Sequence, residues 1–183
     1  LLVTAGCDYA SYFQERTLAR TVTVGNGRGL VRAEGLRFDE DGAHFNLVLE
    51  GQGQTPVTMN VAGRHMVNNA LLAAGAGMAL GLSLEEIAAG LQTAEITGGR
   101  LKRFEADGIT VFDDTYNANP DSVKAAIDVL AEQVTLNGNS KTAVLGMMAE
   151  LGHFAEAMHK EVGRYAVGHG VRLVSVGAEA ALI

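Results

Sequence analysis

The apolar pattern of this chain changes once, at Gly98-Gly99, and that change limits what the chain can fold into. Before the glycine pair, Phe45, Leu47 and Leu49 alternate with Asn46 and Val48, and Val57, Met59 and Val61 alternate with Thr58 and Asn60. A period of two marks half-buried strands. After the pair, short strand-like runs at 109–112, 142–145 and 172–176 are separated by stretches with helical spacing. Strand–helix–strand alternation predicts right-handed crossovers and a parallel sheet. The reading is therefore an α/β chain in two parts, 1–98 and 99–183.

In the first part, residues 1–61 are strand-rich and predict an antiparallel meander, preceded by a short helix-like segment around residues 9–18. Asp39-Glu40-Asp41-Gly42 supplies one hairpin turn and residues 51–56 another. Gly25-Asn26-Gly27-Arg28-Gly29 resembles a glycine-rich phosphate loop, but strand-like residues follow it, so it reads as a hairpin turn. Two helices come next. One spans about 65–80. The other starts at Ser83, with Glu86 completing a capping box, and carries Leu84, Ile87, Ala88 and Leu91 on one face.

In the second part, a helix from Pro120 to about 134 places Val123, Ile127, Leu130 and Val134 on its apolar face. Asn119 is its N-cap, and Pro120 holds the favoured first position. A second helix, about 154–169, turns Met158, Val162, Tyr165 and Ala166 inward.

Composition narrows the partners. The net charge is −7 and there is no Lys/Arg-rich run, which argues against nucleic acid. No apolar stretch is long and charge-free enough to span a bilayer. Cys7 is the only cysteine, so no internal disulfide can form, in keeping with a reducing compartment. The chain opens Leu-Leu-Val-Thr-Ala, without Met or a basic region, and is expected to be a fragment of a longer polypeptide.

Four segments carry candidate chemistry. Asp113-Asp114-Thr115-Tyr116-Asn117-Ala118-Asn119-Pro120-Asp121-Ser122 lies where a strand ends and a helix begins, the edge at which open α/β sheets bind ligands. A turn needs two or three such residues; six polar groups around a tyrosine exceed that. One Asp carboxylate can accept ribose hydroxyls, or the pair can hold Mg²⁺. Gly63-Arg64-His65-Met66-Val67-Asn68-Asn69 opens a helix, where free N–H groups favour an anion. The Asn69 amide has the donor and acceptor that match an adenine edge. Gly98-Gly99-Arg100 places a phosphate-binding guanidinium beside glycines that let the two parts swing. Leu145-Gly146-Met147-Met148-Ala149-Glu150-Leu151-Gly152 follows the next strand, and Glu150 is suited to a substrate amine or to organising the loop. The five histidines show no metal-ligand spacing, and no G-x-x-x-x-G-K-[ST] occurs.

Together, G-R-H-M-V-N-N-A-L-L-A-A, G-G-R-L, D-D-T-Y-N-A-N-P-D-S and L-G-M-M-A-E-L-G resemble, in order, the motifs of the Mur ligases of peptidoglycan synthesis. The Y-N-A-N-P and M-A-E-L-G forms point to the branch that adds D-alanyl-D-alanine to UDP-N-acetylmuramoyl-tripeptide. The resemblance implies that 1–98 is the later part of a central ATP-binding domain, with antiparallel strands and two helices. It makes 99–183 the first part of a Rossmann-like C-terminal domain. It implies ATP and Mg²⁺, with the metal ligands, the phosphate loop and a modified lysine upstream of Leu1.

By the same resemblance Asn69 meets adenine, Asp114 the ribose, and Arg100 the phosphates as the catalytic cation. Asn117, Asn119 and Glu150 form the substrate-side wall. The family is cytoplasmic and bacterial, and the full-length enzyme is expected to be a monomer. Two departures stand out: Met66 replaces the family's Asn, and Thr4-Ala5-Gly6-Cys7-Asp8 replaces an N-A-D-D-like segment. A chain without the phosphate loop is expected to be inactive alone. The competing readings are a non-catalytic nucleotide-binding module and a protein-interaction module that offers a sheet edge to a partner.

Overall fold

The computed structural model describes residues 1–39, 41–95, 98–133 and 140–183. The chain divides into two compact units, Leu1–Ile96 and Thr97–Ile183.

The first unit is one five-stranded sheet with helices packed on it. Its strands are β1 (Leu2–Thr4), β2 (Val22–Asn26), β3 (Val31–Asp39), β4 (Gly42–Leu49) and β5 (Gly53–Met59), in that spatial order. Helix α2 (Arg64–Ala79) lies over β1, β2 and β3, and α3 (Leu84–Gln92) over β5. The inward positions of the period-two runs, among them Phe45, Leu47, Leu49, Val57 and Met59, are buried with Val67, Leu71, Ile87 and Leu91 in one core. Each fully buried Leu there contributes about 1.5–3 kcal/mol. Gly75 lets α2 approach the sheet, since a Cβ there would lie 3.0 Å from side-chain atoms of Leu2 and Val24. The box predicted at the start of α3 is present: the Glu86 N–H donates to Ser83 Oγ, and the Ser83 N–H to Glu86 Oε2.

Three expectations for this unit need correction. The sheet is mixed rather than an antiparallel meander: β3–β4 and β4–β5 are antiparallel, but β1–β2 and β2–β3 are parallel. The glycine-rich stretch after β2 is accordingly no hairpin turn. It folds the chain back on itself, so that β3 starts beside Val24 and runs the same way as β2. Parallel neighbours ordinarily need a crossover of a dozen residues. Here glycines make a short return possible. Gly29 has φ +102°, and a Cβ on it would lie 2.8 Å from the Thr23 carbonyl oxygen. The second turn is also shorter than expected, because β5 already begins at Gly53 and includes Pro56. Proline is tolerated there because β5 is an edge strand. The short helix α1 spans Ala10–Glu15. Of the acidic turn after β3, Glu40 lies outside the described residues, while Asp39 and Gly42 face each other across the hairpin.

Among its described residues, the second unit holds two separate two-stranded sheets. Strands β6 (Lys102–Ala106) and β7 (Ile109–Asp113) form an antiparallel hairpin, and β8 (Thr142–Leu145) pairs in parallel with β9 (Arg172–Ser175). Helices α4 (Pro120–Glu132) and α5 (Ala155–Gly168) pack on each other. Two polar ties link them: Lys124 pairs with Glu161, and the Tyr165 hydroxyl donates to Asp128 at 2.6 Å. That hydrogen bond also raises the Tyr165 pKa above its ordinary value. Val123, Ile127, Val162 and Ala166 are buried as expected; Leu130 is partly buried, and Val134 lies outside the described residues.

The parallel pairing of β8 and β9 matches the expectation, but β7 does not join them among the described residues. It pairs with β6, a strand absent from the sequence reading, and it is not a buried strand. The cause is Asp107-Gly108, whose φ values of +51° and +77° form the tight turn that Asp-Gly favours between strands. No helix among the described residues is long and apolar enough to cross a membrane.

Candidate functional site

The junction between β7 and α4 holds most of the predicted site residues of the second unit. Asp113 Oδ1 accepts both the N–H and the hydroxyl of Thr115, at 3.2 and 2.7 Å, and turns the chain out of the strand. Asn117 Oδ1 accepts the Ala118 N–H at 2.9 Å. Asn119 Oδ1 accepts the Ser122 N–H at 2.9 Å, and Ser122 Oγ accepts the Asn119 N–H at 3.1 Å. That reciprocal pair is the N-cap of α4. Local duties thus occupy the side-chain oxygens Asp113 Oδ1, Asn117 Oδ1 and Asn119 Oδ1. The side-chain amide nitrogens of Asn117 and Asn119 make no hydrogen bond among the described residues, and the Tyr116 ring is 67% exposed.

Asp114 reaches out of the turn. Its Oδ1 accepts the Leu101 N–H at 3.1 Å, across to the linker that precedes β6. Leu101 is buried with φ +52°, a left-handed conformation costly for a branched side chain. Gly99 is tied to the same turn, its carbonyl accepting the Tyr116 N–H at 2.9 Å. A Cβ at Gly99 would lie 3.0 Å from that nitrogen, so this glycine permits the close approach. Between these ties, the Arg100 guanidinium sits over the Tyr116 ring, 4.4 Å from its centroid. Such contacts contribute only about 0.5–1 kcal/mol at exposed positions. A charge-assisted pair with phosphate is stronger, so Arg100 can leave the ring for an anion.

The loop after β8 is held differently. Met148 is buried, and its N–H donates to Nε2 of His159 at 3.0 Å. The other ring nitrogen of His159, Nδ1, is 2.7 Å from the Ala155 carbonyl oxygen. Accepting at Nε2 leaves Nδ1 to donate, so the two contacts define one neutral tautomer. Glu150 follows with φ +64°, exposed, and with no hydrogen bond or ion pair among the described residues. Searching the histidines only for metal spacing misses His159. The available signal is its place on α5, three residues before Val162 and seven before Ala166, on the buried face.

In the first unit, α2 is preceded by Gly63, φ +84°, as its N-cap, with no side-chain cap bond and no acidic residue in its first turn. A helix N-terminus of this kind presents positive potential that favours an anion. Asn69 is exposed on this helix, and among the described residues its side-chain amide makes one weak hydrogen bond, to the Met66 sulfur at 4.0 Å. Met66, where the resembled family has Asn, thus leaves the Asn69 amide open to a stronger partner. No group of three or more His, Cys, Asp or Glu is placed to hold a metal ion among the described residues.

Residues 99–181 match the Mur ligase, glutamate ligase domain. The UDP-N-acetylmuramoyl-tripeptide–D-alanyl-D-alanine ligase of Mycobacterium tuberculosis is 41% identical over 168 residues, which are 88% of this chain and 33% of that protein. The chain belongs to the Mur ligase family. The Haemophilus influenzae ligase of the same name is 33% identical over the full chain, which spans 39% of its length. The crystal structure of MurF from Acinetobacter baumannii superposes with a TM-score of 0.88 at 33% identity, over 99% of this chain and 39% of that one. The chain therefore spans about a third of the length of the curated relatives it matches. Both units lie within the region shared with these Mur ligases.

Proposed function

We propose that this chain is the nucleotide- and acceptor-handling part of a bacterial, cytoplasmic Mur ligase that joins D-alanyl-D-alanine to UDP-N-acetylmuramoyl-tripeptide at the expense of ATP. Residues 1–98 are the later part of its central ATP-binding domain, and residues 99–183 the first part of its C-terminal domain. The full-length enzyme acts as a monomer. The observation that carries the reading is the linker–turn junction. It brings together Arg100, a cation suited to phosphate, and Asp114, a carboxylate suited to ribose hydroxyls.

A carboxylate is a poor electrophile. In the proposed reaction the terminal carboxylate oxygen of the tripeptide attacks the γ-phosphorus of ATP, and ADP departs. The amine of D-alanyl-D-alanine then attacks the carbonyl carbon, the amide bond forms, and phosphate leaves with the former carboxylate oxygen while the nitrogen loses a proton. The chain's own residues contribute positioning and charge neutralisation. Asn69 reads the adenine edge, Asp114 holds the ribose while retaining its tie to Leu101, and Arg100 moves from Tyr116 to the phosphates. Asn117, Asn119 and Glu150 line the substrate side. Mg²⁺ supplies further neutralisation at the phosphates when bound, and no residue of this chain is assigned to it.

The test is a chimera in which these 183 residues replace the matching 39% of the Haemophilus influenzae ligase. ATP-dependent ligation is expected, with the KM for ATP raised about tenfold or more by Asn69→Ala, Arg100→Ala or Asp114→Ala. A folded chimera that consumes no ATP and forms no amide contradicts the proposal and favours an interaction module. Product formed by the isolated 183-residue chain contradicts the expectation that it is inactive alone.

A further inference from the structure

Resting on the ligase reading above, we infer that His159 is a positioning residue for the acceptor subsite, and that the group it positions is the Glu150 carboxylate, which takes the amino terminus of the incoming dipeptide. Three observations converge. His159 is 1% exposed, and it is the one polar residue among the buried side chains of the described chain. A buried imidazole is retained at a cost unless its ring nitrogens are satisfied. Both are, and one of them serves the Met148 N–H in the loop that follows β8. Met148 is itself buried in the same core cluster as Val162 and Ala166, so the loop is anchored through backbone and side chain at one residue.

Two residues later the chain adopts a conformation it does not choose freely. Glu150 at φ +64° and Gly152 at φ +56° both sit in the left-handed region, but only the second is a glycine. A non-glycine residue stays there when its surroundings over-determine it, and such sites cluster where a side chain must be aimed. Met148 fixes the loop on one side and the short 3-10 turn Gly152–Phe154 on the other, and the exposed Glu150 carboxylate between them has no hydrogen bond or ion pair among the described residues. That loop leaves the carboxyl end of β8 in a parallel pair, the position at which α/β sheets bind ligands. An unpaired carboxylate held there suits an ammonium group, and the dipeptide is the substrate that carries one.

The experiment uses the same chimera and reads the KM for D-alanyl-D-alanine and the KM for ATP separately. Glu150→Ala is an exposed change that leaves folding intact; the dipeptide KM is expected to rise about tenfold, with the ATP KM within about twofold. His159→Leu removes the acceptor for the Met148 N–H and is expected to move the dipeptide KM in the same direction. His159→Gln restores an acceptor near the Nε2 position and is expected to recover much of the loss. In the 183-residue chain, hydrogen exchange at the Met148 amide should accelerate in His159→Leu and slow again in His159→Gln. A lower Tm in His159→Leu with both KM values unchanged makes His159 merely structural and overturns the inference. So does an equal rise in both KM values, or an unchanged dipeptide KM in Glu150→Ala. A parent chimera that folds but does not ligate instead sinks the ligase reading, and this inference with it.

Discussion

In the first unit a single five-stranded sheet and two helices share one core that runs from Val22 to Leu91, whereas the second unit has, among its described residues, two separate two-stranded sheets and a smaller core between α4, α5 and β8–β9. The first unit's tight spots hold its sheet together. In the second unit Asp107 and Gly108 do the same for the β6–β7 hairpin, but Leu101, Glu150 and Gly99 sit in the segments that carry the candidate site. The first unit uses backbone constraint for architecture, and the second uses it for architecture and also next to the candidate site residues. Its polar residues follow suit: Asp113, Asn117 and Asn119 shape the junction, and Asp114 fastens the linker beside Arg100.

The sharpest way to break this comparison is a pair of glycine substitutions at hairpins. In Gly42→Ala the new Cβ would lie 2.2 Å from the Met59 carbonyl oxygen at φ +117°, and urea denaturation should show a loss of about 4 kcal/mol. In Gly108→Ala nothing lies within 4 Å, so only the left-handed cost of about 1 kcal/mol remains. Equal losses would show that the first unit's tight packing is not what distinguishes it. Next in size are cavity changes. Leu71→Ala should cost about 3 kcal/mol, and Ile127→Ala, in the smaller cluster, about 2 kcal/mol.

Smaller again is Asp114→Ala, expected to cost about 1–2 kcal/mol by stranding the N–H of the buried Leu101, with faster exchange of that amide as the direct readout. The smallest effects separate the two capping boxes. Ser83→Ala and Asn119→Ala should each cost about 1 kcal/mol at neutral pH. The hydrogen bond from the Ser83 N–H holds the Glu86 carboxyl below the usual glutamate range. A lowered folded-state pKa gives stability that is present above the unfolded value and lost as pH falls through the folded one. The Tm gap between wild type and Glu86→Ala should therefore close on acidification below the ordinary glutamate pKa of about 4.3. The Asn119–Ser122 box has no titrating member, so its gap should persist over the same range.

The parts legible in the sequence are those with a face to bury. The strands around Phe45 and Val57, and the helices carrying Leu84 and Val123, declare themselves through period or caps because burial repeats along them. Strand β6 is exposed along its whole length, so it leaves no alternation to read; Asp107-Gly108 was its only mark. The parallel pairing of β2 and β3 was equally hidden, because it depends on how closely Gly29 passes Thr23 rather than on any apolar pattern. At the candidate site, residue types gave away the strand–helix junction and the linker arginine. They did not reveal that Asp113, Asn117 and Asn119 serve the turn, nor that His159 holds a loop from a separate element.

The most direct test of the central claim is a crystal structure of the chimera with a non-hydrolysable ATP analogue. The account predicts the Asn69 amide at the adenine edge, Asp114 at the ribose and Arg100 lifted from Tyr116 onto the phosphates. A bound nucleotide that touches none of these three, with Arg100 still over the Tyr116 ring, would contradict it.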